Sequence, residues 1–451
     1  VTPRGWLNVE CIFGLAFALW MLCRSVGAAK SKARPGAGDR YWLAAILAFT
    51  AICFGWALPF PFLSDEYVLL GHARDFRLGY NFTHGGGDGF FRPLGHMSIA
   101  LELLWAGASP VLWHLSGLTL HLGICAMLYA VARRLYPDST VALWATAFFA
   151  LHGSHPEPVS YMAARFDLLA SFFVMAGLLL FMKFLERPRA APMAGALLCL
   201  LGGLLSKESA YVFPLLATVV VFWWGKRDQW RTTLPFWILT AAMFAYRWAL
   251  LGGIGGYRDR VSGAPEILRL TPLHAIQGLG LRLWGVLTFP VNWSVPPEPY
   301  LAVALAAAAL AMLWLAMTRI ATSDWLLPVG FLLISALPVI HMLLIGPDLM
   351  SSSHIYLPSI GFALFLAVIV ERSRFSRGGL LAGATLLIFQ VAALEHNLTI
   401  WGDVARLAKR TCESAAADGS TAPDLPAVIR GVHFFRNGFA QCVEMKRREG
   451  R

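Results

Sequence analysis

Long apolar runs recur along almost the whole chain, and they constrain its fold more than any other feature. A helix needs about 20 mainly apolar residues to cross a bilayer. Runs near 6–23, 41–63, 111–132, 139–153, 160–182, 191–205, 209–225, 233–251, 299–318, 325–345, 355–370 and 378–396 meet or approach that length. By hydropathy they read as about twelve spans, which makes the fold class an all-α polytopic membrane bundle. A further apolar stretch, 272–290, carries His274, Gln277 and Arg282 and reads as a juxtamembrane or re-entrant helix. With 57% hydrophobic and 14% charged residues, the chain cannot make a water-soluble surface.

The basic residues set the orientation. Arg24, Lys30, Lys32, Arg34 and Arg40, then Arg133 and Arg134, Lys183, Arg187 and Arg189, Lys226, Arg227 and Arg231, and Arg372, Arg374 and Arg377 fall on alternate loops. The positive-inside rule makes those loops cytoplasmic. It also accounts for most of the net charge of +11 without invoking nucleic acid, because no basic stripe forms. The other loops are then extracytoplasmic, and they collect Asp65 and Glu66, the stretch His152 to Glu157, Arg165 and Asp167, Lys207 and Glu208, the segment 252–298, Asp348 to His354 and the C-terminal tail. Parity alone gathers these residues at one membrane face.

The run 6–23 lacks a small-residue cleavage site, and its basic flank follows it, so it reads as an N-out anchor and not as a cleavable signal peptide. Cys412 and Cys442 fall in the extracytoplasmic tail, where an oxidising compartment can join them or leave them as free thiols.

An acidic pair against a membrane surface is costly, so Asp65 and Glu66 point to a reactive site, with an ordinary solvated loop as the bland alternative. A carboxylate there can take a proton from an attacking hydroxyl, while its neighbour supports it. Arg92 precedes Pro93 at a helix start and either binds a phosphate with the free backbone N–H groups or snorkels to lipid headgroups. His152, His155 and Glu157 suit a metal by type but not by spacing, since Pro156 and Pro158 break a helix between them. His155 then serves a phosphate or sugar oxygen, or is structural. Arg165 and Asp167, two apart, do not share a helix face, so each needs its own partner, and Arg165 is a candidate for an anionic ligand. Lys207 and Glu208 sit at a hairpin apex between apolar runs, as site residues or as snorkelling ones.

The segments "SDEYVLL" (64–70), "FRPL" (91–94), "HPEPVSYMAARFDLLASFF" (155–173), "SKES" (206–209) and "HIYLPSIGF" (354–362), in that order, resemble the membrane part of the protein O-mannosyltransferase-like enzymes of the C-type (GT-C) glycosyltransferase superfamily. The likeness is greatest to the transmembrane-and-tetratricopeptide-repeat O-mannosyltransferases (TMTC type) and their bacterial relatives, and it covers most of 41–400. It implies a GT-C-type transmembrane glycosyltransferase domain over 1–400, with a first extracytoplasmic loop at 64–110, and a short extracytoplasmic tail over 401–451. It also implies residence in a membrane such as the bacterial inner membrane. The donor would be a polyprenyl-phosphate sugar, mannose among the candidates, and the transfer to a protein or glycan acceptor would be inverting.

By position, Asp65 matches the family's acidic base, with Glu66 beside it, and Arg92, His155, Arg165 and Lys207 match polar members of the later motifs. Charge assigns these four, with Arg282 and His354, to donor phosphate or sugar. Ser352 and Ser353 stand where relatives often show an acid-Arg or another Arg-containing pair before "YLPS", which leaves part of the phosphate role to His354, and a short polar tail stands after about residue 400 in place of a tetratricopeptide array. Cations can stabilise a departing lipid monophosphate, so a divalent metal is possible but not required. A secondary transporter of about twelve spans, or a lipid-linked glycan ligase or polymerase, is the alternative reading.

Overall fold

The computed structural model describes residues 38–85, 89–136, 138–224, 226–257, 265, 267, 270–292, 306, 310, 322–342, 349–373, 377–417 and 438–449. Among these the regular structure is helical. The expected span at 6–23, and that at 299–318 apart from residues 306 and 310, lie outside the described residues.

The principal helices are α1 (Gly38–Gly55), α2 (Asp65–Arg74), α3 (Pro93–Ala106), α4 (Pro110–Leu135), α5 (Ser139–Ala150), α6 (Pro156–Ser160), α7 (Arg165–Glu186), α8 (Ala190–Leu204), α9 (Phe213–Trp223), α10 (Leu234–Leu251), α11 (Thr322–Ala336), α12 (Tyr356–Ser373), α13 (Arg377–Ala417) and α14 (Phe439–Glu449). Proline opens α3, α4, α6, α9 and α10, where its missing N–H costs nothing. Asp138 caps α5 by accepting from the Thr140 backbone N–H at 3.2 Å.

Six helical segments are long and apolar enough to cross a membrane: Pro110–Leu135, Met162–Glu186, Arg227–Leu251, Asp324–His341, Ser352–Arg372 and Leu380–Ala417. Ser139–Ala150, Ala190–Leu204 and Glu208–Trp223 are apolar but shorter. The chain is an integral, multi-pass membrane protein, with six such segments among the described residues where hydropathy suggested about twelve. The segment 272–290, expected as a juxtamembrane or re-entrant helix, forms a short helix, a π-helical turn and a second short helix.

The core lies where α4, α5, α7, α8, α9 and α12 meet, around Trp144, Phe148, Phe149, Phe181 and Phe213. α5 is buried along its whole length, which explains why its sequence is apolar all round with no polar stripe. α13 runs through residue 400 to Ala417, about 20 residues past the expected end of its apolar run. A disulfide joins Cys412 near its end to Cys442 of α14. This pair packs on α2, so that Tyr67, Leu69 and Leu70 share a second apolar cluster with Ala415 and Val443. The helix bearing the acidic pair is thus held between α3 on one side and the C-terminal α14 on the other.

Candidate active site

Asp65 and Glu66 open α2, and the two carboxylates have separate surroundings. Glu66 is buried and serves the backbone: its Oε2 accepts from the Leu63 N–H at 2.5 Å and its Oε1 from the Met162 N–H at 2.7 Å. Its negative charge also suits a helix N-terminus. His114 Nε2 stands 3.9 Å from Oε1. Asp65 is half-buried, and its backbone N–H donates to the Tyr161 hydroxyl at 3.2 Å. Ser64, just before it, holds φ 52°, a left-handed conformation that is uncommon for a residue with a side chain and concentrates at functional turns. Gly438 closes against this turn: a Cβ there would stand 2.0 Å from the Ser64 carbonyl oxygen, and its φ of +72° also favours glycine.

The cations gather elsewhere, around a cavity of about 350 Å³. Arg92, Lys207, Arg247 and His341 line it together with apolar side chains such as Phe244 and Val339. Arg92 donates from Nε and Nη2 to Glu208 Oε2 at 3.0 and 2.7 Å, and Arg247 Nη2 donates to Glu208 Oε1 at 3.1 Å. The Arg92 guanidinium also lies over the Phe90 ring, 4.1 Å from its centre. Burial opposes the Arg92 charge, but Glu208 and then Asp167 outweigh it and leave its pKa raised. Lys207 Nζ donates to Asp167 Oδ2 at 2.5 Å.

The charge balance follows directly. Lys207 and Asp167 form a pair that is neutral overall wherever its proton sits. Arg92 and Arg247 share the single carboxylate of Glu208, so among the described residues one positive charge remains at the cavity. Two buried donors on its wall, Arg247 Nε and Ser209 Oγ, have no hydrogen-bond partner among the described residues. Orphaned buried donors and an uncompensated cation are costly in a closed protein and suit an anion.

A line of electrostatic neighbours joins the acidic turn to the cavity. Tyr161 lies within the field of Asp65, Glu66 and Glu157. Glu157, in α6, interacts with Asp167, and Asp167 with Lys207 and Arg92. Ser352 completes the arrangement by donating from its N–H and hydroxyl to Glu157 Oε2 at 2.9 and 3.2 Å, and Ser353 lies within electrostatic reach of both Glu157 and Asp167. Ser352 and Ser353 therefore stand at the acids in the centre of this network. Burial, and then the Asp167 charge, push the Glu157 carboxyl up to about 8.

Four residues singled out in the sequence lie off the cavity wall. Arg165 has its own partner, as the two-residue spacing required: it pairs with Glu102 and donates to the Trp113 carbonyl at 3.3 Å and to Ser116 Oγ at 2.5 Å. His155 is buried between His121 and His152, its ring centre 5.4 and 5.3 Å from theirs, with Nε2 at 3.1 Å from Ser359 Oγ. Burial first, then the neighbouring imidazoles, hold the His155 pKa well below its ordinary value, and burial brings His152 down to about 4, so both rings are neutral near pH 7. Arg282 sits half-buried in the π-helical turn, and His354 follows the two serines in the 3-10 turn Ser352–Ile355. Among the described residues no three His, Cys, Asp or Glu side chains are grouped to hold a metal ion.

Arg247, Glu102 and Tyr161 belong to the site or its frame and were not among the residues chosen from sequence. Arg247 had a signal: it is the one charge inside the apolar run 233–251, where a charged side chain is costly and tends to be functional.

No family model matches the chain. It is 30% identical over 138 residues to protein O-mannosyl-transferase Tmtc1 of Drosophila melanogaster, covering 31% of this chain and 16% of that protein. To Tmtc2 of the same organism it is 30% identical over 204 residues, 43% of this chain and 22% of the relative, and to tmtc2 of Xenopus laevis 31% over 105 residues, 23% and 13%. The chain is similar in sequence to TMTC-type protein O-mannosyl-transferases. It spans less than a quarter of these relatives' own length in each match. Among solved structures, that of ArnT from Cupriavidus metallidurans bound to undecaprenyl phosphate superposes with a TM-score of 0.42 and 15% identity, over 88% of this chain and 85% of that one.

Proposed function

We propose that this protein is a GT-C membrane glycosyltransferase that moves a sugar from a polyprenyl-phosphate donor to a protein or glycan acceptor at the extracytoplasmic face. The observation that carries the reading is the Arg92–Lys207–Arg247 cavity, with its residual positive charge, its two orphaned donors and its apolar wall, joined through Asp167, Glu157 and Tyr161 to the half-buried Asp65. A lipid phosphate supplies both the anion and the hydrocarbon that such a cavity suits. The similarity to O-mannosyl-transferases supports a glycosyl donor and makes mannose the first sugar to test.

In this reading the donor phosphate bonds Arg247 Nε and Ser209 Oγ. As the bond from the anomeric carbon to the phosphate oxygen breaks, its electron pair goes to the phosphate, and Arg92 and Arg247 stabilise the added charge. The acceptor oxygen attacks the anomeric carbon from the opposite face, giving inversion, and its proton passes to Asp65. Glu66, committed to two backbone donors, holds the turn. Arg165, His155, Arg282 and His354 act from around this centre as supports for the helices that carry it.

The experiment is reconstitution of the purified chain with radiolabelled polyprenyl-phosphate mannose and a parallel panel of other polyprenyl-phosphate sugars. The label should pass to an acceptor in membranes from the source organism. Ion-driven solute uptake by the same vesicles with no sugar transfer from any donor would establish a transporter instead.

A further inference from the structure

A second polar cleft lies outside the proposed active site, between the segment that precedes Asp65 and the polar end of α13. It has a volume of about 340 Å³, and its lining includes Trp56, Phe60, Arg406, Lys409, Arg410 and Glu413.

Local sequence builds this cleft. Trp56 Nε1 donates to Glu395 Oε2 of α13 at 3.0 Å, which ties the end of α1 to that helix. Two turns further along α13, Gly402 faces the Phe60 ring so closely that a Cβ would stand 2.6 Å from it. The missing side chain lets the Pro59-Phe60-Pro61 turn rest on the helix backbone. The Arg406 guanidinium lies over the same ring, 5.6 Å from its centre. Lys409, Arg410 and Glu413 follow at helical spacing on the same side.

Charge and depth indicate the ligand. Arg406 is paired with Asp403 at 2.7 Å and Lys409 with Glu413 at 3.8 Å, both in exposed positions. Arg410 is exposed and makes no ion pair among the described residues. Of the residues on the cleft wall, three carry positive charge and one negative. Along α13, Trp401 packs its ring edge-on to Tyr161 at 5.6 Å, and a run of charges, Asp403, Arg406, Lys409 and Arg410, follows it. Aromatic rings followed at once by cations mark the level of the lipid headgroups. We propose that this cleft holds the phosphate of an anionic membrane lipid, with Arg406, Lys409 and Arg410 as its ligands and Trp56 and Phe60 against the first carbons of its tails. The assignment is independent of the roles given to Asp65 and to the Arg92 cavity.

Native mass spectrometry of the whole chain, released from detergent and titrated with phosphatidylglycerol or phosphatidylcholine, tests it. Retention of phosphatidylglycerol over phosphatidylcholine is expected, falling at least tenfold in R406Q/K409Q/R410Q and about threefold in R410Q alone. R410Q removes an exposed, unpaired side chain and therefore keeps the fold. Equal retention of the two lipids, or R410Q binding phosphatidylglycerol like the parent, overturns the proposal. Displacement of the lipid by glycerol phosphate at equal concentration also overturns it, because the ligand is then a soluble phosphate. Failure of sugar transfer leaves these outcomes unaffected, so the two readings fail separately.

Discussion

Arg247 donates through Nη2 to Glu208 at 3.1 Å while its buried Nε has no acceptor among the described residues. One side chain of the cavity wall thus fixes the carboxylate with one donor and leaves another, buried, without an acceptor. Arg247→Gln should weaken binding of polyprenyl phosphate about tenfold, roughly 1.4 kcal/mol. Isothermal titration in detergent with the short-chain polyprenyl phosphate checks this, and unchanged affinity removes Arg247 from the site.

Asp65→Asn keeps shape and removes basicity. Transfer should fall at least about 100-fold, the lower range for a lost general base, with donor affinity retained. Glu66→Gln should instead lower thermal stability, because one of its two backbone contacts, to Leu63 or Met162, then faces an amide N–H. Activity of Asp65→Asn within a few-fold of the parent rejects the base assignment.

Arg165→Gln leaves Glu102, 4% exposed, without its cation. Breaking a buried pair by removing one partner costs about 3–5 kcal/mol, so a large drop in melting temperature is expected. Turnover per folded molecule should change much less than in Arg247→Gln. A folded, fully stable Arg165→Gln protein with lost donor affinity would place Arg165 on the phosphate instead.

Glu157 gives a pH dependence whose sign is fixed. Its carboxyl rises from an ordinary 4.5 to about 8, so the folded chain keeps a proton that the unfolded chain has lost. This contribution to stability is fully present below about 4.5, declines as pH rises towards 8 and is flat above. Glu157→Gln keeps an acceptor for Ser352 and removes the titration. The melting temperature of the parent relative to this variant should fall between pH 5 and 8; parallel curves would show that Glu157 titrates normally.

Removing the Cys412–Cys442 bridge by paired Ser substitutions should cost about 2–4 kcal/mol, the usual range for a disulfide. Because α14 packs on α2, the loss should reach kcat more than donor affinity. Thermal melts and steady-state kinetics in parallel separate the two effects.

The spans were legible because lipid-facing helices need long apolar runs, a local property of the chain. The separate partners of Arg165 and Asp167 followed from their spacing, and the position of Asp65 and Glu66 from the end of an apolar run. The partners themselves could not be read: Glu102 lies 63 positions from Arg165, Asp167 40 from Lys207, and Glu208 116 from Arg92. Such pairings depend on how helices pack, which hydropathy does not encode. Arg247 was visible as a lone charge in an apolar run, yet its place at the cavity depends on Glu208. The contact of α14 with α2 had no signal, since the short polar segment that carries it showed only two cysteines.

The turn before Asp65 is closed by Gly438, 374 positions later in the chain. A ribosome therefore delivers the proposed base long before its backstop. During synthesis, the intervening helices are made before Gly438 can close the Ser64 turn, and the bond from α14 to α13 forms only after that. Chains cut before Gly438 would keep the charged residues of the cavity but lose this closure of the Ser64 turn, so under the proposed function they should transfer sugar more slowly than the chain that carries it.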